Sequence, residues 1–164
     1  MQLLAVSKTF PAEAVREVAE AGQRDFGENY IQEGVDKITA LKAEPYPLVW
    51  HCIGPIQSNK TRLVAEHFDW VHTVDRLRIA QRLSEQRPAH LPPLQVCLQV
   101  NIDGGSTKSG VAPDQALALA RAVANLPRLC LRGLMTIPDP VEGFDAQVQI
   151  HHQARVCFER LGRD

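Results

Sequence analysis

Apolar positions along this chain follow two alternating rhythms. Short, nearly continuous apolar runs cover 3–9, 25–29, 49–56, 70–74, 94–102 and 131–138. Runs such as Leu94-Gln95-Val96-Cys97-Leu98-Gln99-Val100 lack strict alternation, as strands buried on both faces of a parallel sheet do. Between them the period lengthens to that of amphipathic helices. Pro11 opens and Gly22 closes a helix over 11–21. Ser58 or Asn59 is placed to cap a helix running to Phe68, and Asp75 one running to Gln86. An Ala/Leu-rich helix spans 112–126 before Pro127, and a last one spans 147–161 before Gly162.

Six strands, each followed by a helix, predict an all-parallel α/β architecture in one domain over residues 1–164. A doubly wound sheet and a (β/α)8 barrel both fit this pattern. A complete barrel normally takes about 250 residues, so six units read as a barrel short of its last quarter.

Composition narrows the function classes. Eighteen Lys and Arg against nineteen Asp and Glu leave a net charge of −1, so no global field draws nucleic acid or anionic lipid. No apolar stretch approaches the roughly 20 residues of a membrane span, and the first residues lack the pattern of a signal peptide. Cys52, Cys97, Cys130 and Cys157 are widely spread without a CxxC pair, which fits a reducing cytoplasm better than disulfides or zinc.

In either architecture, chemistry belongs at the C-terminal ends of the strands. The polar residues there are Ser7-Lys8-Thr9, Gly27-Glu28-Asn29-Tyr30, Ser58-Asn59-Lys60, Asp75, Asn101 with Asp103, and Met135-Thr136. Lys8 leaves a buried strand at the mouth of the expected pocket, where desolvation makes an amine a better nucleophile toward an aldehyde. A strand-end lysine pointing into solvent is the commoner outcome of such a pattern. His51, between Trp50 and Cys52, reads as a hydrogen-bonded core histidine before a metal ligand, and His151-His152 as helix surface. The loop Gly104-Gly105-Ser106-Thr107-Lys108-Ser109-Gly110 fails the spacing of a nucleotide P-loop, although it could bring Lys108 near an anion at the rim.

Three segments in order are more specific: Leu4-Ala5-Val6-Ser7-Lys8-Thr9, Phe26-Gly27-Glu28-Asn29-Tyr30, and Trp50-His51-Cys52-Ile53-Gly54-Pro55-Ile56-Gln57-Ser58-Asn59-Lys60. With Arg132-Gly133-Leu134-Met135-Thr136-Ile137-Pro138 and Lys108-Ser109-Gly110, they resemble successive signatures of the pyridoxal phosphate homeostasis protein family over nearly the whole chain. The resemblance implies a fold-type III barrel like the N-terminal domain of alanine racemase. It also implies a pyridoxal 5'-phosphate (PLP) cofactor held as a Schiff base on Lys8. Asn29, His51, Met135 and Ser58 would line or border the cofactor; structural capping is the nearer job for Ser58. It implies a cytosolic, monomeric protein that buffers PLP or delivers it to recipients such as apo PLP-dependent enzymes, without turnover of its own and without nucleic acid or membrane partners. The alternative on the same fold is an amino-acid racemase, which needs a base on each face of its substrate. A lysine Schiff-base aldolase and a pure interaction module are further readings. The family pattern also carries a helix before the first strand, and phosphate-holding segments in a seventh and an eighth strand. None of these is found in the 164 residues, so the sequence reads as part of a longer barrel.

Overall fold

The computed structural model describes residues 2–105 and 108–162. Its strands are β1 (Ala5–Val6), β2 (Asp25–Glu28), β3 (Val49–Cys52), β4 (Trp70–Val74), β5 (Leu94–Gln99) and β6 (Leu129–Met135). The helices are α1 (Ala12–Glu20), α2 (Ile31–Ala40), α3 (Thr61–His67), α4 (Leu77–Gln86), α5 (Ala116–Ala124) and α6 (Phe144–Leu161). All strand pairs are parallel and the spatial order β1-β2-β3-β4-β5-β6 repeats the chain order. A doubly wound sheet reverses its order at a switch point. A sequential order with a helix in every connection is the winding of a βα barrel. From α2 to α6 each helix packs against the next.

The core lies between strands and helices. Phe26, Phe68, Val71, Ile79, Leu83, Leu94, Val96 and Leu98 are fully buried there. Burial alternates along most of β5, with Leu94, Val96 and Leu98 buried and Gln95 and Cys97 only half-buried. This corrects the expectation of strands buried equally on both faces. The positions facing the helix layer are covered, while Gln95 and Cys97 on the inner face keep some contact with solvent.

Several boundaries differ from the sequence reading. The 3–9 run is paired only at Ala5–Val6, although the Ser7 N–H still donates to the Gly27 carbonyl (3.0 Å). The third run stops at Cys52, ahead of Gly54-Pro55, rather than at 56. Neither Ser58 nor Asn59 caps α3. Residues Ser58–Lys60 form a 3-10 turn that runs into the helix, with no side-chain cap, and the Lys60 N–H donates to Gln57 O (2.9 Å). Tightening the entry in this way satisfies a backbone donor without a side chain. Asp75 caps nothing either: it faces the Arg76 guanidinium at 3.4 Å, and Arg76 itself is the N-cap of α4. The fifth helix starts at Ala116 rather than 112, because Val111 is bridged to Val100 beside β5. The last starts at Phe144, three residues early, after Gly143 with φ +88°.

Candidate functional site

Alternation along β1 puts Leu4 and Val6 on one strand face and Ala5 on the other, and Lys8 follows in the turn after the strand. Ser7 faces the helices and is buried, whereas Lys8 is exposed at the C-terminal mouth. Lys8 therefore stands exposed in the turn that follows the first strand.

The backbone on both sides of it is held from beneath. The Ser7 hydroxyl donates to Glu28 Oε1 (2.6 Å), and the Lys37 ammonium donates to Ser7 O (2.7 Å), Glu28 Oε1 (2.8 Å) and Glu33 Oε1 (2.6 Å). The Thr9 N–H donates to Glu33 Oε1 (2.7 Å). Thr9 has φ +67°, an unusual conformation for a β-branched residue. Glu28 is 0% and Lys37 6% exposed. The sequence placed Glu28 among the residues at the pocket mouth. The structure turns its side chain the other way, into this charged cluster behind the sheet.

Asn29 follows β2 and is half-buried. Its backbone closes against Gly54, where a Cβ would lie 2.0 Å from Asn29 O. On the inner face at Gly27, a Cβ would come within 2.9 Å of Ile53 Cδ1. Glycine at these two positions thus lets the ends of β2 and β3 approach at the mouth. Lys8 offers a primary amine at that mouth, the group that condenses with an aldehyde-bearing cofactor.

His51 is buried, as expected of a core histidine. Its Nε2 lies 3.1 Å from Asp25 Oδ1 and its Nδ1 2.9 Å from His72 Nε2. The ring stacks on Trp70 at 5.5 Å between centroids. Burial pulls the His51 pKa down against the opposing bond to Asp25, and burial followed by the His51 charge takes His72 down to about 4. Both rings are then neutral at pH 7. With Asp25 accepting, His51 carries its proton on Nε2 and accepts from His72 Nε2–H. Asp25 begins β2, so His51 faces the N-terminal end of the strands, and the register Val6–Gly27–His51 sets Lys8 two residues above it.

Met135 ends β6 half-buried, and its carbonyl accepts the Val100 N–H (2.9 Å). Ser58 is exposed in the turn before α3. Lys108 is taken up within its own rim: it pairs with Asp103 (2.9 Å) and Asp139 (2.9 Å) and donates to Ile137 O (2.8 Å). Ser106 and Thr107 of the same loop lie outside the described residues. His151 and His152 are exposed on α6, as expected, and the four cysteines are free. A separate cavity of about 710 Å³, lined by Tyr46, Trp50, His67 and Asp69 among others, opens at the opposite, N-terminal end of the strands.

Sequence reasoning missed Lys37 and Glu33. Their i,i+4 spacing on one helix was a usable signal, but their bonds to Ser7 and Thr9 depend on tertiary packing.

The sequential parallel barrel with a lysine in the turn after its first strand defines a class, and the family model "Alanine racemase, N-terminal domain" matches residues 1–162. The chain is 62% identical to the pyridoxal phosphate homeostasis protein of Vibrio cholerae, over 99% of this chain and 70% of that protein. It is 66% identical to that of Pseudomonas aeruginosa, over 88% of this chain and 62% of that protein. Among solved structures, PipY of Synechococcus elongatus superimposes with TM-score 0.89 without PLP (40% identity, 99% of this chain, 75% of that one). The form with PLP bound gives 0.87 at 39% identity, with the same coverage. The chain belongs to the pyridoxal phosphate homeostasis protein family. No helix among the described residues is long and apolar enough to cross a membrane.

Proposed function

We propose that this protein binds PLP covalently through Lys8 and holds it for release, as a PLP reserve rather than a catalyst. The observation that carries this is Lys8 itself: an exposed amine at the mouth, on a turn fixed at both neighbouring residues. PLP binding in PipY, a relative of the same fold at 39% identity, supports it. When bound, PLP supplies an electrophilic aldehyde carbon. Lys8, once its ammonium has given a proton to water, adds its nitrogen to that carbon; one water leaves and a C=N bond remains. Water can reverse the step, and an exposed lysine leaves that route open. Asn29 and Met135 border the pocket from β2 and β6, Ser58 from the turn after β3, and His51 with His72 forms its neutral floor. A cytoplasmic, monomeric carrier serving apo PLP-dependent enzymes is consistent with four free cysteines.

The racemase alternative needs a second base over the cofactor. Tyr30 heads α2 and is 60% exposed, and Tyr46 lies in the cavity at the far end, beneath Arg24. Tyr46 thus lies at the opposite end of the strands from Lys8.

The test is to incubate the chain with PLP, reduce with borohydride, and map the modified peptide. Hydride adds to the imine carbon and a proton to nitrogen, leaving a stable secondary amine. A single adduct on Lys8, absent in Lys8→Ala, is expected. An adduct spread over Lys42, Lys60 and Lys108 would overturn the assignment.

A further inference from the structure

The geometry points to Lys37, with Glu33 and Glu28, as a positioning device for the PLP-binding lysine. It lies behind the sheet with the Ser7 and Glu28 side chains and bonds to the backbone beside Lys8, not to a cofactor. This inference rests on Lys8 being the anchor.

Three features carry it. First, the cluster grips the residues on either side of Lys8 rather than Lys8 itself: Lys37 Nζ donates to the Ser7 carbonyl, and Glu33 accepts the Thr9 N–H. Second, Thr9 is held at φ +67°. A strained backbone persists where the surroundings over-determine it, and such residues concentrate at functional sites. Here the carboxylate bonded to the Thr9 amide is the restraint in place, and the Ser7 carbonyl receives Phe10 N–H as well (3.1 Å), closing the turn. Third, burying Lys37 and Glu28 at 6% and 0% exposure is costly unless paired. Glu28 Oε2 nevertheless has no hydrogen-bond partner. For fold stability alone, an apolar trio would serve as well.

The same geometry explains selectivity among lysines. The ammonium of Lys37 has three N–H donors, and three acceptors hold it: Ser7 O, Glu28 Oε1 and Glu33 Oε1. Lys37 is therefore fully engaged and inaccessible, while the turn it braces presents Lys8 to the aldehyde in one orientation. Pre-orientation of this kind raises condensation rates by cutting the entropy of reaching the attack geometry.

The experiment uses the full chain with Glu33→Ala, Glu33→Gln and Lys37→Met. Glu33→Ala removes the acceptor for the Thr9 N–H at a half-exposed site. Glu33→Gln keeps an amide oxygen there. The readouts are the rate of PLP loading on Lys8 by absorbance and peptide mapping, its pH profile, and deuterium exchange of the Thr9 amide without PLP. We expect about tenfold slower loading and at least tenfold faster Thr9 exchange in Glu33→Ala, with both largely restored in Glu33→Gln. Lys37→Met should lose site selectivity, and if it does not fold, the Glu33 pair decides. Parental loading rate and parental Thr9 exchange in Glu33→Ala would overturn the inference. Should the parent chain fail to load Lys8 at all, the PLP reading falls. The positioning inference is then decided by Thr9 exchange and by competitive acylation of Lys8 against Lys42, where unchanged values in Glu33→Ala overturn it.

Discussion

Gly54→Ala tests whether the contact between the ends of β2 and β3 is as tight as the backbone indicates. A Cβ at Gly54 would stand 2.0 Å from Asn29 O, 2.7 Å from Asn29 C and 2.8 Å from Asn29 Cα. All three are backbone atoms, so no flexible side chain can yield. Relief requires a backbone shift of about 1 Å, which pulls on two hydrogen bonds: Ile53 N–H to Glu28 O (3.0 Å) and Thr73 Oγ1 to Gly54 O (2.7 Å). Overpacking costs roughly 1–3 kcal/mol and each weakened bond roughly 1 kcal/mol, for a sum of roughly 3–5 kcal/mol. In a domain of this size that lowers Tm by roughly 6–20 °C. The assay is a circular-dichroism melt without PLP, followed by borohydride trapping well below both midpoints. Because Asn29 leaves β2 beside the end of β1, the displaced backbone should also slow the loading of Lys8. Gly162→Ala is the control, since its Cβ would meet only Phe158 O, at 3.9 Å, and its φ is −89°. A Gly54→Ala melt within about 2 °C of the parent would refute the argument, because the shift it demands would then cost almost nothing.

His51 and His72 give a pH dependence with a defined sign. Their folded pKa values are depressed, so between pH 6.5 and about 4 the unfolded chain binds protons that the folded chain refuses. Stability is therefore full above about pH 6.5 and falls as pH drops through that window. Urea midpoints from pH 8 to 5 should show the fall, and His72→Phe should flatten it; a parent curve flat to pH 5 would contradict the neutral pair. Asp103, held near 2 first by its bond to Lys108, acts in a separate window below about pH 4. Arg87→Met should cost about 3 kcal/mol, because the guanidinium is bonded to Ala65 O, Phe68 O and Pro92 O, each at 2.8 Å. Its melt should drop by roughly 6–12 °C while PLP loading below the midpoint keeps its rate, since those carbonyls lie away from Lys8, around the end of α3 and the loop before β5; a slowed loading would place Arg87 in the site.

What the sequence made legible was what a single segment carries in its own pattern. Trp70–Val74 was read to the residue, since a short apolar run between helical stretches has one interpretation. The helix opened by Pro11 and closed before Gly22 needed only local punctuation, and Gly22 takes the left-handed φ of +106° that such an end requires. Strand polarity placed Lys8 at the mouth, but the pattern alone favoured a lysine pointing into solvent, and only the resemblance of the surrounding segments singled it out. Capping was read wrongly at Ser58 and Asp75 because a cap depends on the entry angle of the chain. A 3-10 turn or an extended Arg76 changes that angle without leaving a mark on residue type. Glu28 shows the deeper limit. It sits one residue before Asn29, in a segment that reads as pocket lining, yet a strand sends consecutive side chains to opposite faces. Deciding which face holds the pocket needs the register of β1 against β2 and the presence of Lys37 behind it. His51 obeys the same logic in reverse, because its partners Asp25 and His72 are 26 and 21 residues away and meet it only once three strands are aligned. A site built on strand ends thus offers its candidate reacting group early. The residues that hold that group in place become visible only after the register is known.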